Sequence, residues 1–344
     1  KGNDLLRIDE PNPHLKQYHR KQWEKVGLEC KPFENVKYYY PYKNDKANFY
    51  SLTSCDKEAL EQQVEDKKAF NYIYTYENDK SKIELLFSNV DDPNFTMESI
   101  INYISEHDEF DGLGWSDFKD KLAEYTKKGR ADKDIPVQSW RKFRRLISKS
   151  ITHSIFQESI SRTPERRQVF LSDEIKDIQA GQVCVVDIAK LDEQVQCFVF
   201  GDVIKSIYEL KMGETERDEN EIPNKIIVFV DELNKYAPSN APKNSPILNY
   251  ILEITERGRS MGIVLFSAEQ FRSAIHDRAK GNCSTNVYGR TNAIETSKSD
   301  YRYVPKQYTN MMTRLDKGDL LIEHPVFRTL LKISFPYPSY YQRK

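Results

Sequence analysis

Two adjacent carboxylates, Asp231 and Glu232, close the run IIVFVDE at 226–232. Five apolar residues in succession predict a buried strand, and a strand ending this way delivers both carboxylates to the carboxyl edge of a sheet. Open α/β folds bind their ligands at that edge. Paired carboxylates there suit nucleotide hydrolysis: Asp231 would hold Mg²⁺ through water, and Glu232 would orient and deprotonate the attacking water. A strand that merely ends in surface acids gives the same pattern. Downstream, Glu256-Arg257-Gly258-Arg259 closes a helical stretch, as two guanidiniums around a tight glycine turn. Planar, permanently charged donors suit phosphate, although arginine also favours the last carbonyls of a helix. GIVLFSAEQ at 262–270 then ends in Gln270, a neutral amide placed to sense a γ-phosphate, hold a water, or cap the next helix. In the run 281–290, GNCSTNVYGR, Asn282, Thr285 and Arg290 surround another strand candidate.

The elements that must position these groups alternate through the second half. VCVVDIA (183–189) is a compact β-branched run, and helical periodicity follows at 191–210. Strand 226–232, helix 245–256, strand 262–270 and helix 271–280 come next, with later strands at 286–291, 319–323 and 327–335. Short apolar runs separated by helices predict an α/β core whose mostly parallel sheet is covered on both faces. Residues 57–167 read instead as a helical block, with helices at 57–68, 97–107, 115–127 and 137–158 and breaks at Asp91-Asp92-Pro93, Gly112 and Gly129. In its last helix Trp140, Phe143, Ile147 and Ile151 make one apolar stripe with Arg141, Lys142, Arg144 and Arg145 off it. The tyrosine run 38–42 reads as a short edge strand stopped by Pro41, since proline cannot donate to a ladder.

Across 344 residues, 52 basic and 53 acidic side chains nearly cancel, which excludes a polycationic coat and an acidic tail but not a local basic face. Such a face exists. Residues 127–167 carry twelve Lys or Arg against four Asp or Glu, suited to DNA phosphates, to an acidic partner, or simply to solvent. Apolar runs are far too short to span a bilayer. The chain starts at Lys1 with no leader pattern, which reads as a cytoplasmic fragment. Cys30, Cys55, Cys184, Cys197 and Cys283 lack C-x-x-C spacing, so buried free thiols in a reducing compartment are expected. The six histidines make no metal-ligand pattern.

DELNKYAP, LEITERGRSMGIVLFSAEQ and NCSTNVYGR, in that order and spacing, resemble the bacterial branch of the HerA/FtsK family of hexameric DNA-translocating ATPases. KGNDLLRIDEP resembles the family segment after the second core strand, and PFENVKYYYPY its next strand. The resemblance implies a RecA-like P-loop NTPase core, with 1–56 as its first part, 57–167 as an α-helical insertion and 168–344 as the rest. It implies ATP and Mg²⁺ as cofactors, Asp231 and Glu232 as the Walker B pair, and Arg257 as an arginine finger acting on the neighbouring subunit. Arg259 would be its partner or a structural cap, Gln270 the polar sensor and Arg290 a phosphate contact. The loop 236–246, flanked by Lys235 and holding Lys243, becomes a pore-loop candidate or a solvated connector. The partners implied are a homo-hexamer, double-stranded DNA and an effector such as a nuclease, in DNA processing or antiviral defence. The alternative is a nucleotide-dependent scaffold with little translocation. G-x-x-x-x-G-K-[ST] does not occur in the sequence; the family places it before the KGNDL segment, so it is expected upstream of Lys1.

Overall fold

The computed structural model describes residues 3–127 and 135–342, which fall into two compact units. The first unit, Asn35–Asn224 with Pro242–Tyr250, is built on a four-stranded parallel sheet in the order β3-β2-β1-β4. Its strands are β1 (Val36–Pro41), β2 (Ala69–Ile73), β3 (Gln168–Phe170) and β4 (Val183–Val186). β1 is interior, not an edge: Tyr38 aligns with Ala69 on one side and Val36 with Val183 on the other. Pro41 is tolerated because the amides of Tyr38 and Tyr42 face β2, donating to Lys68 and Tyr72 at 2.8 and 3.2 Å. The nitrogens of Tyr39 and Pro41, alternating with these, face β4, which ends at Val186, before Pro41 is reached.

The tyrosine-rich segment is therefore core. Tyr38, Tyr39, Tyr40 and Tyr72 are fully buried, as a parallel sheet covered on both faces requires. Buried phenols need acceptors, and Tyr39 finds Glu174 at 2.8 Å, Tyr40 finds Gln63 at 2.6 Å and Tyr72 the Asp187 carbonyl at 2.8 Å.

β2 lies inside the stretch 57–167 expected to be helical. The sheet interrupts that block after the Lys57–Glu65 helix, and the main helices follow it at Thr96–Glu106, Trp115–Tyr125 and Val137–Ser150. The expected boundaries at 56/57 and 167/168 thus fall within one compact unit. The stripe Trp140, Phe143, Ile147 and Ile151 is buried as its spacing dictates, with Trp140 against Tyr125 at 4.5 Å. Arg141, Arg144 and Arg145 are exposed. The helix stops at Ser150 rather than continuing to 158. The expected break at Gly129 and the basic residues Lys128, Arg130 and Lys133 lie outside the described residues.

The second unit comprises residues up to Glu34, Lys225–Ala241 and those from Ile251 on. It holds the parallel pair β5 (Ile226–Asp231) and β6 (Ile263–Ala268), and the antiparallel sheet β7 (Asn286–Tyr288), β8 (Asp319–Glu323) and β9 (Leu331–Ser334). Tyr288, Tyr301, Val304, Met312, Leu315 and Leu321 form the core beside the antiparallel sheet. The opening segment docks on the chain's end: Asn12 donates to the Ser339 carbonyl at 3.0 Å, and Tyr341 to that of Glu10 at 2.8 Å. One face of the β5–β6 pair, carrying Ile227, Phe229, Val264 and Phe266, is exposed, so the expected burial on both faces does not hold for these two strands.

Of the five thiols, all free, only Cys197 is buried; Cys283 is exposed, and the other three are half-buried. The expectation of buried cysteines thus holds for one. Cys197 sits on the apolar helix Glu193–Met212, whereas Cys283 lies in the turn before β7. Among the described residues no helix is long and apolar enough to cross a membrane.

Candidate functional site

β5 and β6 run parallel in register, with Ile226 beside Ile263 and Asp231 beside Ala268. The register brings the residues after each strand to the same edge. Asp231 is exposed there. Glu232 leaves the strand through a left-handed conformation, φ 58° and ψ 58°, which costs a non-glycine residue roughly 1–3 kcal/mol. Its amide still donates to the Ala268 carbonyl at 2.7 Å, so the chain turns only after the last ladder bond. The turn continues as a short 3₁₀ segment, Leu233–Lys235.

The turn draws Glu232 inward, leaving its side chain 12% exposed. Gln270 donates from Nε2 to Glu232 Oε1 at 3.0 Å, and Lys235 Nζ lies 3.4 Å from Oε2. Each carboxylate oxygen thus faces one donor. The helix-capping role open to Gln270 is not taken, since the following 3₁₀ segment Arg272–Ala274 is capped at Phe271. Lys235, expected in a pore loop, pairs with Glu232. A three-residue spacing in a 3₁₀ turn brings the two side chains to one side.

Sequence reasoning passed over a third carboxylate. Glu269 accepts the Leu233 amide on Oε1 at 2.9 Å and the Asn234 amide on Oε2 at 3.4 Å. Burial pushes it up to about 7 against the pull of those two amides, and the charges of Asp231 and Glu232 push the same way. Its signal was present in the parallel run GIVLFSAEQ, where an acid follows an apolar strand just as Glu232 does.

The arginines sit elsewhere. Arg257 and Arg259 lie in the last turns of the Pro246–Met261 helix, and Gly258 is helical rather than a turn. A Cβ at Gly258 would come within 2.8 Å of the Ile263 carbonyl oxygen, so this glycine permits close approach of helix and strand. The turn itself is made by Gly262, at φ 73°. Arg257 is 58% exposed and pairs with Glu253 at 3.0 Å, one turn earlier. Arg259 is exposed, as is Arg290 just beyond β7. Lys243 is exposed and belongs to the first unit, whereas Lys235 belongs to the second.

Among the described residues no group of three or more His, Cys, Asp or Glu is arranged to enclose a metal. An exposed Asp231 beside the held Glu232 instead fits a cation bound through water by one carboxylate, as Mg²⁺ with its retained hydration shell is commonly held.

No protein-family model matches the chain, and no curated protein matches it. Solved structures do. The plasmid coupling protein TrwB, in complex with the non-hydrolysable GTP analogue GDPNP, is 8% identical with a TM-score of 0.51, over 90% of this chain and 87% of that one. An unbound form of the bacterial conjugative coupling protein TrwBΔN70 is 9% identical with a TM-score of 0.50, over 90% and 78%. The genome packaging NTPase B204 of Sulfolobus turreted icosahedral virus 2 is 16% identical over 47% of this chain and 71% of that one, with a TM-score of 0.34. At these identities only the fold is at issue, and only the TrwB matches bear on it. The chain has the α/β, RecA-like fold of P-loop NTPases found in TrwB.

Proposed function

We propose that this chain belongs to a nucleotide-driven DNA motor that hydrolyses ATP with Mg²⁺ at the edge of β5 and β6. The observation that carries the reading is Glu232. A carboxylate left 12% exposed by a left-handed turn, with Gln270 on one oxygen and Lys235 near the other, is built to hold one orientation. The structures of TrwB with GDPNP and with the ATP analogue ADPNP support nucleotide as the ligand of this fold.

Bound Mg-ATP supplies an electrophilic γ-phosphoryl group. Asp231 would hold the hydrated Mg²⁺ from its exposed position. Glu232 accepts the proton of the attacking water, and Gln270 restricts the orientation of its carboxylate. Arg257, Arg259 and Arg290 are exposed cations of the kind that can reach phosphate on assembly, with Arg257 as the finger offered to a neighbouring subunit. The sequence lacks G-x-x-x-x-G-K-[ST], so the phosphate cradle comes from a segment outside these residues. The ring is a homo-hexamer on double-stranded DNA, partnered by a cytoplasmic effector such as a nuclease in DNA processing or antiviral defence. Lys243 faces the DNA.

The test is the ATP turnover of the full-length protein with and without duplex DNA. A motor shows stimulation that fades as salt rises, because phosphate contacts release counterions. Turnover indifferent to DNA at low salt supports the scaffold reading instead.

A further inference from the structure

The turn that aims Glu232 has no glycine at its strained position and must be held from outside. Its own ladder bond, Glu232 to Ala268, fixes only the amide before the strained torsions. The next two amides, those of Leu233 and Asn234, would be left pointing at the neighbouring strand end without acceptors. Glu269 meets both, one on each carboxylate oxygen. It is the residue immediately before Gln270, so a single dipeptide at the end of β6 grips both the backbone and the side chain of the Glu232 turn.

We propose that Glu269 is a positioning residue: by accepting the Leu233 and Asn234 amides it keeps Glu232 in the left-handed conformation that presents its carboxylate to Gln270. This rests on Glu232 being the general base, and the two ideas separate experimentally. An alanine at 269 frees both amides and lets the turn relax toward an ordinary torsion, swinging the Glu232 carboxylate away. A glutamine keeps one carbonyl oxygen for the Leu233 amide and is the conservative replacement.

The experiment uses the full-length protein with Glu269→Ala and Glu269→Gln, each alone and combined with Glu232→Gln. Hydrogen exchange without nucleotide is read first. Glu269→Ala should speed exchange at Leu233 and Asn234 by at least about tenfold, while Glu269→Gln leaves Leu233 protected. In ATP turnover, Glu269→Ala should lower kcat roughly 10- to 100-fold, the range expected of a displaced catalytic group, with KM changed less than about threefold. Glu269→Gln should retain at least about half of kcat. In the Glu232→Gln background Glu269→Ala should cost nothing further, since it acts through that side chain. Unchanged exchange at both amides, or equal kcat for the alanine variant and wild type, overturns the proposal. So does an undiminished loss in the Glu232→Gln background. If Glu269→Ala does not fold, Glu269→Gln decides by exchange alone: fast Leu233 exchange in that folded variant counts against it. Should Glu232→Gln itself keep wild-type turnover, the general-base reading fails while the exchange result still reports on the clamp.

Discussion

Gln270 and Glu232 end two adjacent parallel strands and are joined side chain to side chain, Nε2 to Oε1 at 3.0 Å. An amide on one oxygen restricts the rotation of the carboxylate, which is what a base needs if it is to meet water in one orientation. Replacing Gln270 with alanine should lower turnover by about tenfold, part of the 10²–10⁴ that general-base catalysis supplies. Nucleotide affinity should stay within about threefold. Equal losses in affinity and turnover would instead mean that Gln270 contacts the nucleotide before reaction.

Lys235 lies 3.4 Å from the other oxygen of Glu232, so the proposed function places it beside the general base, whereas the pore-loop reading places it on DNA. Lys235→Ala should therefore change turnover without DNA, whereas Lys243→Ala should not. If Lys243 faces DNA, its loss flattens the dependence of log K on log salt by roughly 0.9 for each phosphate contact removed. The Arg141, Arg144 and Arg145 triple alanine variant measures the other basic face. A reduced slope there and an unchanged slope for Lys243→Ala moves DNA to the Val137–Ser150 helix.

Arg257 is exposed and tied to Glu253 across one helical turn, an arrangement worth little in water and easily given up for a phosphate. Mixing Arg257→Ala with Glu232→Gln subunits should restore part of the activity that each lacks alone, because some interfaces receive one intact half from each. Mixed rings that form but recover nothing remove the assignment in trans.

Much of the core was legible in sequence because its signals are local. β5 and β6 are single apolar runs with carboxyl-edge polar residues, and the stripe from Trp140 to Ile151 states its own period. β2 was not legible: AFNYI carries Asn71, whose fully buried amide is satisfied by distant partners, Ser51 and the carbonyls of Phe49 and Arg166. β1 looked like an edge because Pro41 was weighed without knowing which neighbour each amide faces. Gly258 looked like a turn because a glycine between arginines does not reveal that a strand carbonyl will lie against it. Glu269 escaped for a related reason, since its partners are backbone amides 35 and 36 residues away.

A second prediction about protons concerns the buried group Asp79, Lys82 and Asp202. Lys82 lies 2.7 and 2.8 Å from the two carboxylates, with Tyr74 donating to Asp202 at 3.0 Å and Ser172 beside the lysine at 2.9 Å. Two acids share one cation. Burial pushes Asp79 up to about 6 against the pull of Lys82, and Asp202 adds to the rise. The folded state therefore holds a proton that the unfolded chain has released, so stability from this group is lowest above pH 6 and grows as pH falls toward 4. Asparagine at 79 mimics the protonated form. Relative to Asp79→Asn, wild type should gain about 1–1.5 kcal/mol on going from pH 7.5 to 5, measured by denaturant unfolding. A difference independent of pH would mean that Asp79 is ionised throughout.

The central claim is that Glu232 takes the water's proton, and Glu232→Gln tests it most directly because the side chains are near-isosteric and Asp231 is untouched. In the full-length protein, equilibrium ATP binding and steady-state turnover should be measured side by side. The account predicts affinity within about threefold of wild type and turnover reduced by at least about 100-fold. A variant that binds ATP normally and keeps more than about a tenth of wild-type turnover contradicts it.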